Sequence, residues 1–530
     1  MMKKACALLA LLLALTLALP CGSAEEPAFR DAHAVLKDMG AGWNLGNSLD
    51  AWTGKETRVG PLSSETVWSN PKISRELIAL VKESGFGTVR LPVTWFNHMD
   101  PKTYEIDPAW MDRVEEIVGW VLDEGLYCIL NVHHDTGSDN WLTADQNNYA
   151  AKEEKFAAIW RQIAERFEPY GEKLLFEGYN EILNDAREWT RPGQADLDAA
   201  NSLNQTFVDT VRAAGGNNAQ RCLVVNTYGA QPNMQVTQGM KVPTDTAEDR
   251  IIVEVHVYQP FQFTSENYPT VKTWDKGSVD TSLRNLDRDF LQKGYPVLIG
   301  EFGAVEKDNF KARCAWTQYM VDRATALGIG VVWWDNGGDY GLISRRTLKV
   351  TQPELIAIIV TEAAGGDFDL SDEVVANALK RVEQVNLCES PEKWYTWIDT
   401  ANGGKAETRY TAEGVQVTVN SAGKEAWHVQ PSYTKLVLEE GATYTLSFDY
   451  SADPAQRVAW HVMKDYGDYA AYQEGTLEAS SETQHFECTF TLEGPTDKNC
   501  KIAFDLGGSG VTVPFTFGIR NLTLVKTVGE

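Results

Sequence analysis

Two glutamates, Glu181 and Glu301, stand at the ends of short apolar segments, residues 174–180 and 297–302. Carboxylates that follow buried apolar residues are either paired or functional, because an unpaired buried charge is costly. A carboxylate pair about 5 to 5.5 Å apart can break a glycosidic bond with retention, one group acting as general acid/base and the other as nucleophile. The residue types of this pair therefore suit glycosidic-bond cleavage.

Each glutamate also has a structural alternative. Glu181 could cap a helix or lie on the surface, and Glu301 could be the buried partner of Arg90. A structural role for both at once is the less favoured interpretation, since both stand where apolar segments end. Under the catalytic interpretation, the Arg90 cation lowers the pKa of Glu301, while the charge of Glu301 favours a proton on Glu181.

Polar or aromatic residues also end the other apolar segments, and such positions are where a barrel enzyme keeps its working groups. Beside the two glutamates these residues are Arg90, His133, His134, Asn180, His256, Tyr258 and Trp334. If the segments are parallel strands of one barrel, all of these side chains meet at a single mouth.

The elements that must position them follow from the pattern between residues 30 and 362, where short apolar runs alternate with longer stretches of helical period. This alternation is typical of successive βα units. It predicts eight strands, at 42–46, 88–93, 127–133, 174–180, 222–227, 251–258, 297–302 and 329–334. Eight is the strand number of a (β/α)8 TIM barrel, so the predicted fold class is α/β.

Two other classes of protein, a doubly wound sheet and a metal-dependent barrel, fit the pattern less well. A doubly wound sheet needs a glycine-rich phosphate turn, but the first strand leads into Asn44-Leu45-Gly46-Asn47. The run His133-His134-Asp135 has metal-ligand residue types, yet an amidohydrolase-like metal site would need a His-x-His pair on the first strand. We therefore expect no metal and no cofactor.

After the small residues 363–367 the pattern changes to short alternating strands separated by Gly, Asp, Pro and Ser. The predicted strands are 414–419, 443–450, 458–463, 485–492, 501–505 and 519–525, the pattern of a β-sandwich. We predict a barrel domain at 27–363, a linker at 364–374 and an all-β sandwich domain at 375–530.

Residues 1–24 have the order of a secretory signal peptide: a lysine-containing start, an apolar run and a small-residue segment. The apolar run is shorter than the roughly 20 residues of a spanning helix, which disfavours a membrane anchor. Pro20 makes lipid attachment at Cys21 the weaker alternative. We expect cleavage near Ala24 and secretion to the extracellular space, by a bacterial cell.

Charge and cysteine content limit the partners. The formal net charge is −26, which repels nucleic acid and anionic membrane surfaces and leaves a neutral polysaccharide as a suitable partner. We expect a monomer. The cysteines beyond the predicted signal show no metal-type spacing and suit buried thiols; they are Cys128, Cys222, Cys314, Cys388, Cys488 and Cys500.

The motifs at the strand ends resemble those of glycoside hydrolase family 5, in order and in strand placement, over roughly residues 30 to 360. They are Trp43-Asn44-Leu45-Gly46-Asn47, Val89-Arg90-Leu91-Pro92-Val93, Asn131-Val132-His133-His134, Phe176-Glu177-Gly178-Tyr179-Asn180-Glu181, His256-Val257-Tyr258 and Gly300-Glu301-Phe302-Gly303. The resemblance implies a cellulase-like enzyme with Glu181 as acid/base and Glu301 as nucleophile.

The resemblance also implies roles for neighbouring residues. Asn180 would bond the sugar 2-hydroxyl, Arg90 and Tyr258 would be partners of the nucleophile, and His133 and His256 would organise the cleavage subsite.

The last strand carries a tryptophan pair, of which strand alternation turns only one inward. The resemblance favours Trp334 as the floor of the subsite and leaves Trp333 to barrel packing, and His134 is a further expected substrate contact. The chain departs from the family where Asn180-Glu181 is followed by Ile182 instead of the more usual Pro. This departure leaves the chemistry intact and the substrate preference open.

Residues from about 375 to 527 resemble jelly-roll carbohydrate-binding modules, on the runs 441–448 and 519–524. Sugar binding needs flat aromatic platforms beside hydrogen-bonding groups. The candidate platforms are Trp394, Trp397, Trp427, Trp460, Tyr466, Tyr469 and Tyr472. A structural spacer or a protein-docking domain is the alternative.

These features together indicate an endo-β-1,4-glucanase acting on cellulose-type, mixed-linkage or xyloglucan chains. Mannan and xylan remain alternative backbones. Transglycosylation also remains open, because a sugar can intercept the same covalent intermediate as water. A non-catalytic glycan-binding protein is a further alternative, against which the intact glutamate pair argues.

Overall fold

The computed structural model describes residues 29–52, 62, 64–136, 141–382, 385–388, 393–411 and 413–527. The predicted signal peptide lies outside the described residues. The chain forms a closed parallel barrel followed by two antiparallel sheets, which confirms both parts of the predicted fold class. Over the described part of the chain, no helix has the length and apolar character needed to cross a membrane.

Eight parallel strands form the barrel in chain order, and the last pairs with the first to close it. They are β1 (Gly42–Asn44), β2 (Thr88–Leu91), β3 (Tyr127–Asn131), β4 (Leu174–Glu177), β5 (Leu223–Asn226), β6 (Ile251–His256), β7 (Val297–Phe302) and β8 (Gly330–Trp333). The eight predicted strands are confirmed, although most of the predicted ends run one to three residues too far. Those extra residues leave the ladder at the mouth, where they carry site side chains.

Helices connect and surround the strands. They are α1 (Ala32–Met39), α2 (Arg75–Glu83), α3 (Pro108–Asp123), α4 (Tyr149–Arg166), α5 (Gln194–Ala213), α6 (Met234–Gly239), α7 (Phe261–Thr264), α8 (Lys276–Asp289), α9 (Phe310–Ala326), α10 (Pro353–Ala363) and α11 (Asp372–Val382). Side-chain caps set several starts: Ser74 and Asp107 each accept a backbone N–H in the first turn of α2 and α3. The strands β9 (Ile343–Ser344) and β10 (Lys349–Val350) form a short antiparallel pair after β8.

The inside of the barrel changes from apolar to polar along its strands. At the N-terminal end Ile129, Leu175 and Ile252 pack with residues of α1 in one buried cluster. Because side chains on one face recur every second residue, the next inward positions of β4 and β6 are Glu177 and Glu254. The fold therefore places a polar layer directly beneath the mouth.

The helix α11 belongs structurally to the barrel. Its residues Val375 and Ala378 are buried in the same hydrophobic cluster as the barrel helices. The predicted start of the second domain at residue 375 falls inside this helix, and the first described strand after it begins at Val385.

The C-terminal strands are β11 (Val385–Asn386), β12 (Trp394–Ile398), β13 (Gly404–Thr411), β14 (Gly414–Ala422), β15 (Val429–Leu438), β16 (Thr443–Asp453), β17 (Gln456–Lys464), β18 (Ala471–Ala479), β19 (Gln484–Thr491), β20 (Asp497–Asp505) and β21 (Phe515–Thr527). One sheet has the order β13-β14-β21-β16-β19 with β11 beside β21, and the other has the order β12-β15-β20-β17-β18. Inward side chains of both sheets, such as Val417, Phe448 and Ile502, form one buried core.

All six predicted strands of this region are present, and β11, β12, β13, β15 and β18 were not predicted. The strands β13 and β18 are rich in exposed polar residues, so they lack a strong apolar alternation. Strand β15 contains Pro431, and its Lys435 has a positive φ of 58°, so its pattern is interrupted.

The cysteines fit the predicted role of buried thiols in part. Cys128 and Cys222 are buried at 0% and 2% exposure, inside β3 and just before β5. No disulfide joins the six cysteines within the described ranges.

Candidate active site

Glu181 and Glu301 meet at the mouth of the barrel. Glu181 lies four residues beyond the end of β4, and Glu301 lies in β7 itself. Nδ1 of His256 is 2.7 Å from Oε1 of Glu181 and 3.5 Å from Oε2 of Glu301. The nearest atoms of the three side chains all lie within 4.8 Å of one another. The two carboxylates are thus close enough to act on one glycosidic bond.

The two carboxylates differ in environment. The Glu181 side chain is 27% exposed, whereas that of Glu301 is only 7% exposed. Nη1 of Arg90 donates to Oε1 of Glu301 at 2.7 Å, and the Tyr258 hydroxyl donates to Oε2 at 3.0 Å. Both expected partners of Glu301 are therefore in place.

Burial raises the pKa of Glu301, and the cations of His256 and Arg90 counteract part of this rise. Arg90 does lower the pKa of Glu301 as predicted, but desolvation of the enclosed carboxyl outweighs the two cations, so the net shift is upward. The contacts with Arg90 and Tyr258 nevertheless fix both oxygens of Glu301 in place.

Arg90 is fully buried and makes more contacts than the sequence indicated. Its Nε and Nη2 donate to the two oxygens of Glu177, both at 2.7 Å. It also donates to Oδ1 of Asn44 and of Asn180, each at 2.9 Å. Its side chain is 0% exposed, so these contacts hold the neighbouring residues of the site in position.

His256 connects the two glutamates to a third carboxylate. Its Nδ1 faces Glu181 at 2.7 Å and its Nε2 lies 3.2 Å from Oε1 of Glu254. Burial alone would lower the pKa of His256, but the charge of Glu301 and the bonds to Glu181 and Glu254 raise it to about 10. At neutral pH His256 is therefore a cation that donates from both ring nitrogens.

Asn180 lies at the mouth, where its backbone N–H donates to the Val132 carbonyl oxygen at 2.9 Å. Because Oδ1 of Asn180 accepts from Arg90, its amide nitrogen is the group that is suited to donate to a ligand.

His133, His134 and Trp334 lie together on the other side of the mouth. The rings of His133 and Trp334 are parallel, with centroids 5.8 Å apart, and the His134 ring meets His133 edge-on at 4.5 Å. Burial lowers the pKa of His133 well below its usual range, and the nearby charges of His134, Arg90 and His256 lower it further. A neutral His133 whose Nδ1 faces the amide of Asn131 carries its proton on Nε2.

The tryptophan pair is divided as expected. Trp333 is 0% exposed and packs edge-on against Phe302, while Trp334 is partly exposed at the mouth. The Trp334 ring lies so close to Gly46 that a Cβ there would be 2.6 Å from its Cη2 atom. A glycine at position 46 is therefore what allows Trp334 to lie over the mouth.

Four buried polar residues of the site were missed by the sequence analysis: Asn44, Asn131, Glu177 and Glu254. Each is 0% exposed, and each bonds to Arg90, His133 or His256. Strand period gives the signal that could have found them, since Glu254 precedes His256 by two positions and shares its face.

Two described groups bring three potential metal ligands within 4.8 Å: Asp50 with His133 and His134, and Glu181 with His256 and Glu301. Both oxygens of Asp50 already accept backbone N–H groups, from Asn47 and Ser48. In the second group, His256 bonds to Glu181, and Glu301 accepts from Arg90 and Tyr258. The second group is thus held by hydrogen bonds among its own members and to Arg90 and Tyr258, an arrangement suited to proton chemistry.

A second candidate site lies on the outward face of the five-stranded sheet β12-β15-β20-β17-β18. It is a groove of about 770 Å³. Four aromatic side chains on its walls are 46% to 54% exposed: Tyr395, Trp397, Trp427 and Tyr469. Exposed flat rings of this kind are suited to stack against sugar rings.

The floor of the groove is a chain of hydrogen-bonded polar groups. Lys501 donates to Oε1 of Gln430 at 3.0 Å, and Nε2 of Gln430 donates to Asp505 at 2.7 Å. Nε2 of His461 lies 3.1 Å from the other oxygen of Asp505. The groove thus offers hydrogen-bonding groups beside its aromatic walls.

Only some of the aromatic platforms predicted in this domain line the groove. Trp397, Trp427 and Tyr469 do so, whereas Trp394 and Trp460 are buried in the sandwich core. Tyr466 is exposed away from the groove lining, and Tyr472 bonds to Asp497. Tyr395 was not predicted, although it is next to Trp394 and strand alternation turns it outward.

A closed eight-stranded parallel barrel with two facing glutamates at its mouth defines the protein as a glycoside hydrolase. Residues 49–340 match the family model of cellulase, glycosyl hydrolase family 5, and the chain belongs to this family. Residues 389–512 match a carbohydrate binding domain. Both resemblances drawn from the sequence are thereby confirmed.

The chain is 40% identical over 345 residues to endoglucanase A of Ruminococcus albus, a match covering 61% of this chain and 91% of that protein. A broad specificity endoglucanase from Ruminococcus champanellensis, solved with bound cellotriose, is similar at 39% identity and TM-score 0.60, over 63% of this chain and 99% of that one. A xyloglucan-specific endo-β-1,4-glucanase from a metagenomic library, also with cellotriose, is similar at 36% identity and TM-score 0.58, over 62% and 97%.

Proposed function

We propose that the protein is an endo-β-glucanase that cuts internal β-1,4 linkages of cellulose-type, mixed-linkage or xyloglucan chains by double displacement. The approach of Glu181, His256 and Glu301 within 4.8 Å carries the proposal, since retaining hydrolysis needs carboxyl groups about 5 to 5.5 Å apart. The names of the relatives, endoglucanases and a xyloglucan-specific enzyme, support a β-1,4-glucan as the substrate.

In the first step, Glu301 attacks the anomeric carbon while the bond from that carbon to the leaving oxygen breaks. Glu181 gives its proton to the leaving oxygen, and a covalent glycosyl ester forms on Glu301. In the second step, Glu181 takes a proton from water, the water oxygen attacks the anomeric carbon, and Glu301 leaves as a carboxylate. Two inversions restore the original configuration.

The surrounding residues hold these groups in place in this mechanism. Arg90 and Tyr258 orient the two oxygens of Glu301. Asn180 offers its amide nitrogen to the sugar 2-hydroxyl, and the partly exposed Trp334 provides an apolar floor. His133 and His134 line the same side of the mouth and bond sugar hydroxyls.

Mannan, xylan and transfer to a sugar acceptor are the competing outcomes at the same site. A glucan preference would give measurable release from barley β-glucan or xyloglucan and little from xylan. Transglycosylation would give products longer than the starting oligosaccharide.

We propose that the sandwich domain holds a single glucan chain in its groove instead of serving as a spacer. The four exposed aromatic walls and the polar floor of Gln430, Lys501 and Asp505 support this role. An open groove accepts a chain from the side, so the domain would bind internal segments of the polymer that the barrel cuts.

We also propose that the enzyme is exported, on the signal-peptide order of residues 1–24. Polymeric glucans are too large to enter a cell, so a secreted enzyme would meet its substrate. Amino-terminal sequencing of the enzyme from the culture medium of an expressing bacterium should begin near residue 25. Retention of the full-length chain inside the cells would contradict this.

The proposed function is tested by reducing-end release from carboxymethylcellulose, barley β-glucan, xyloglucan, glucomannan and xylan. The wild type, Glu181→Ala and Glu301→Ala are compared. We expect release from the glucans by the wild type and loss of release in both variants. Release that survives Glu301→Ala would remove the two-glutamate assignment, and no release from any polymer would favour the glycan-binding alternative.

A further inference from the structure

A buried arginine, Arg345, joins the loop after β1 to the loop after β8. It lies between the short strands β9 and β10, and its side chain is only 2% exposed. Its Nη1 donates to the carbonyl oxygen of Gly46 at 2.5 Å and to Oγ of Ser48 at 2.9 Å. Its Nη2 donates to the carbonyl oxygen of Asp335 at 2.6 Å and to Oδ1 of the same residue at 3.2 Å. One guanidinium group thus bonds to both loops.

The two loops are those on which the Trp334 ring depends. Gly46 is the residue whose missing Cβ leaves room for the ring, and Asp335 follows Trp334 in the chain. We propose that Arg345 is a positioning residue that fixes the Trp334 ring over the mouth by holding these two loops at a constant separation. The inference rests on the proposed function, since the position of the ring matters for the reaction only if the ring is the floor of the sugar subsite.

The hydrogen bonds between the loops form a closed set. The backbone N–H of Gly46 donates to the carbonyl oxygen of Asp335 at 3.1 Å, and Arg345 donates to the carbonyl oxygens of both residues. A guanidinium group is planar, and its N–H groups point in fixed directions. The distance between two carbonyl oxygens that are bound by its two terminal nitrogens is therefore fixed as well.

A second bridge between the loops lies farther from the ring. Nδ2 of Asn70 donates to the carbonyl oxygens of Asn47 and Asn336, at 2.8 and 3.0 Å. Each of these acceptors is one residue beyond the corresponding acceptor of Arg345. The loops therefore stay connected without Arg345, but the pair of residues next to the Trp334 ring is no longer held.

Arg345 is itself held firmly. Its ion-pair partner Asp335 also accepts from the Trp43 indole N–H at 2.9 Å and from the Leu342 backbone N–H at 2.8 Å, both through Oδ2. The guanidinium carbon of Arg345 lies 5.3 Å from the centroid of the Trp43 ring, a cation–π contact. A side chain that is fixed on these sides can hold the loops that it binds in one arrangement.

The position of the Trp334 ring follows the position of its neighbours. A Cβ at Gly46 would lie 2.6 Å from Cη2 of the ring, so the ring and this backbone segment are in close contact. The ring is also parallel to that of His133, with centroids 5.8 Å apart. If Gly46 and Asp335 separate, the ring loses the surface against which it packs. The sugar then meets a displaced floor, and hydrolysis slows although both catalytic glutamates are intact.

The test is a double-mutant cycle of Arg345→Met and Trp334→Ala, with kcat/KM on cellotetraose as the readout. Methionine is a flexible apolar side chain without an N–H donor, so it fills space without joining the loops. We expect Arg345→Met to lower kcat/KM by about 10-fold or more while Trp334 is present. Once Trp334→Ala has removed the ring, we expect Arg345→Met to cost less than about threefold, because the two changes then act on the same interaction.

Equal losses in both backgrounds would overturn the inference, because Arg345 would then act without the ring. Unchanged kcat/KM in Trp334→Ala alone would also overturn it, since the ring would have no effect to transmit. Arg345→Lys is the second variant, in case Arg345→Met does not fold. It keeps the charge beside Asp335 but lacks the two terminal nitrogens that join the loops. We expect a smaller loss that again depends on Trp334, and wild-type kcat/KM in folded Arg345→Lys would contradict the inference.

The matched control is Arg212→Met. The Arg212 side chain is 6% exposed and bonds to Asp245 and to the carbonyl oxygens of Asn218 and Arg221, which precede β5 at the end of the barrel away from the mouth. We expect its thermal stability to fall, while kcat/KM of the folded variant stays near that of the wild type. Similar losses of kcat/KM in Arg212→Met and Arg345→Met would overturn the inference. Failure of the proposed function would appear separately, as hydrolysis that survives Glu301→Ala.

Discussion

The barrel mouth and the sandwich groove both combine aromatic rings with hydrogen-bonding side chains, but they keep their charges in different places. At the mouth, the side chains of Arg90 and Glu254 are 0% exposed and that of Glu301 is 7% exposed, and only the acid/base candidate Glu181 among these charged groups reaches 27%. In the groove, the side chains of Lys501, Asp505 and His461 are 11% to 20% exposed, and the aromatic walls stand about half exposed.

This difference follows from what each region has to stabilise. Charge develops and moves during bond cleavage, and preorganised buried charges stabilise it far better than solvated ones. A neutral sugar that is only bound needs flat apolar surface and hydrogen bonds. Variants that remove a buried charge from the mouth and variants that remove an exposed ring from the groove should therefore separate catalysis from binding.

The largest expected effect that sharpens this comparison is that of Glu181→Gln. Loss of the acid should reduce kcat on barley β-glucan by about 10²- to 10⁴-fold. An aryl cellobioside with a good leaving group needs little proton donation in the first step. The rate of that step, measured as a burst of released phenol, should therefore fall far less. Steady-state kinetics on barley β-glucan and burst kinetics on the aryl cellobioside measure the two losses of rate. Equal losses on the two substrates would argue against an acid role.

The next effect concerns the position of Trp334. In Gly46→Ala, the new Cβ would lie 2.6 Å from Trp334, so the ring must move. We expect kcat/KM on cellotetraose to fall by about 10- to 100-fold, because small displacements at a subsite cost much of the rate. Gly119→Ala is the control, since no atom lies within 4 Å of a Cβ there. Activity like wild type in Gly46→Ala would mean that Trp334 does not shape the subsite.

The smallest effect on catalysis, and the clearest on binding, is that of Trp397→Ala. We expect about 10-fold weaker retention by barley β-glucan in affinity electrophoresis, because a central exposed ring contributes about 1 to 2 kcal/mol at a binding site. Hydrolysis of soluble cellotetraose should not change. Tyr410→Ala, an equally exposed aromatic of the other sheet, is the control. Unchanged retention in Trp397→Ala would favour the spacer alternative.

The sequence is sufficient to predict the strands and the glutamate pair, but it does not reveal the buried polar residues beneath that pair. Eight apolar runs predict the barrel because each is bounded by loops and helices of clear period. Glu181 and Glu301 are visible because they interrupt such runs. Glu254 was missed because its partners Arg90 and Asn226 come from other strands, although its place two positions before His256 puts both side chains on one face.

The net effect of burial on a pKa could not be predicted from the sequence either. The prediction that Arg90 lowers the pKa of Glu301 came from pairing alone, whereas the enclosure that raises this pKa overall depends on the packing of several strands. In the sandwich, alternation predicts which strands are well buried on one side. It does not predict β13 and β18, in which exposed polar residues interrupt the apolar pattern.

The central claim is that Glu301 forms a covalent bond to the sugar. The enzyme is incubated with 2-deoxy-2-fluoro-β-cellobiosyl fluoride, whose fluorine at the 2-position slows both steps while the fluoride leaves readily. Peptide mass analysis should then locate one fluorinated disaccharide on the peptide that contains Glu301, with no label in Glu301→Gln. A label on Glu181, or no label together with products of inverted configuration, would contradict the account.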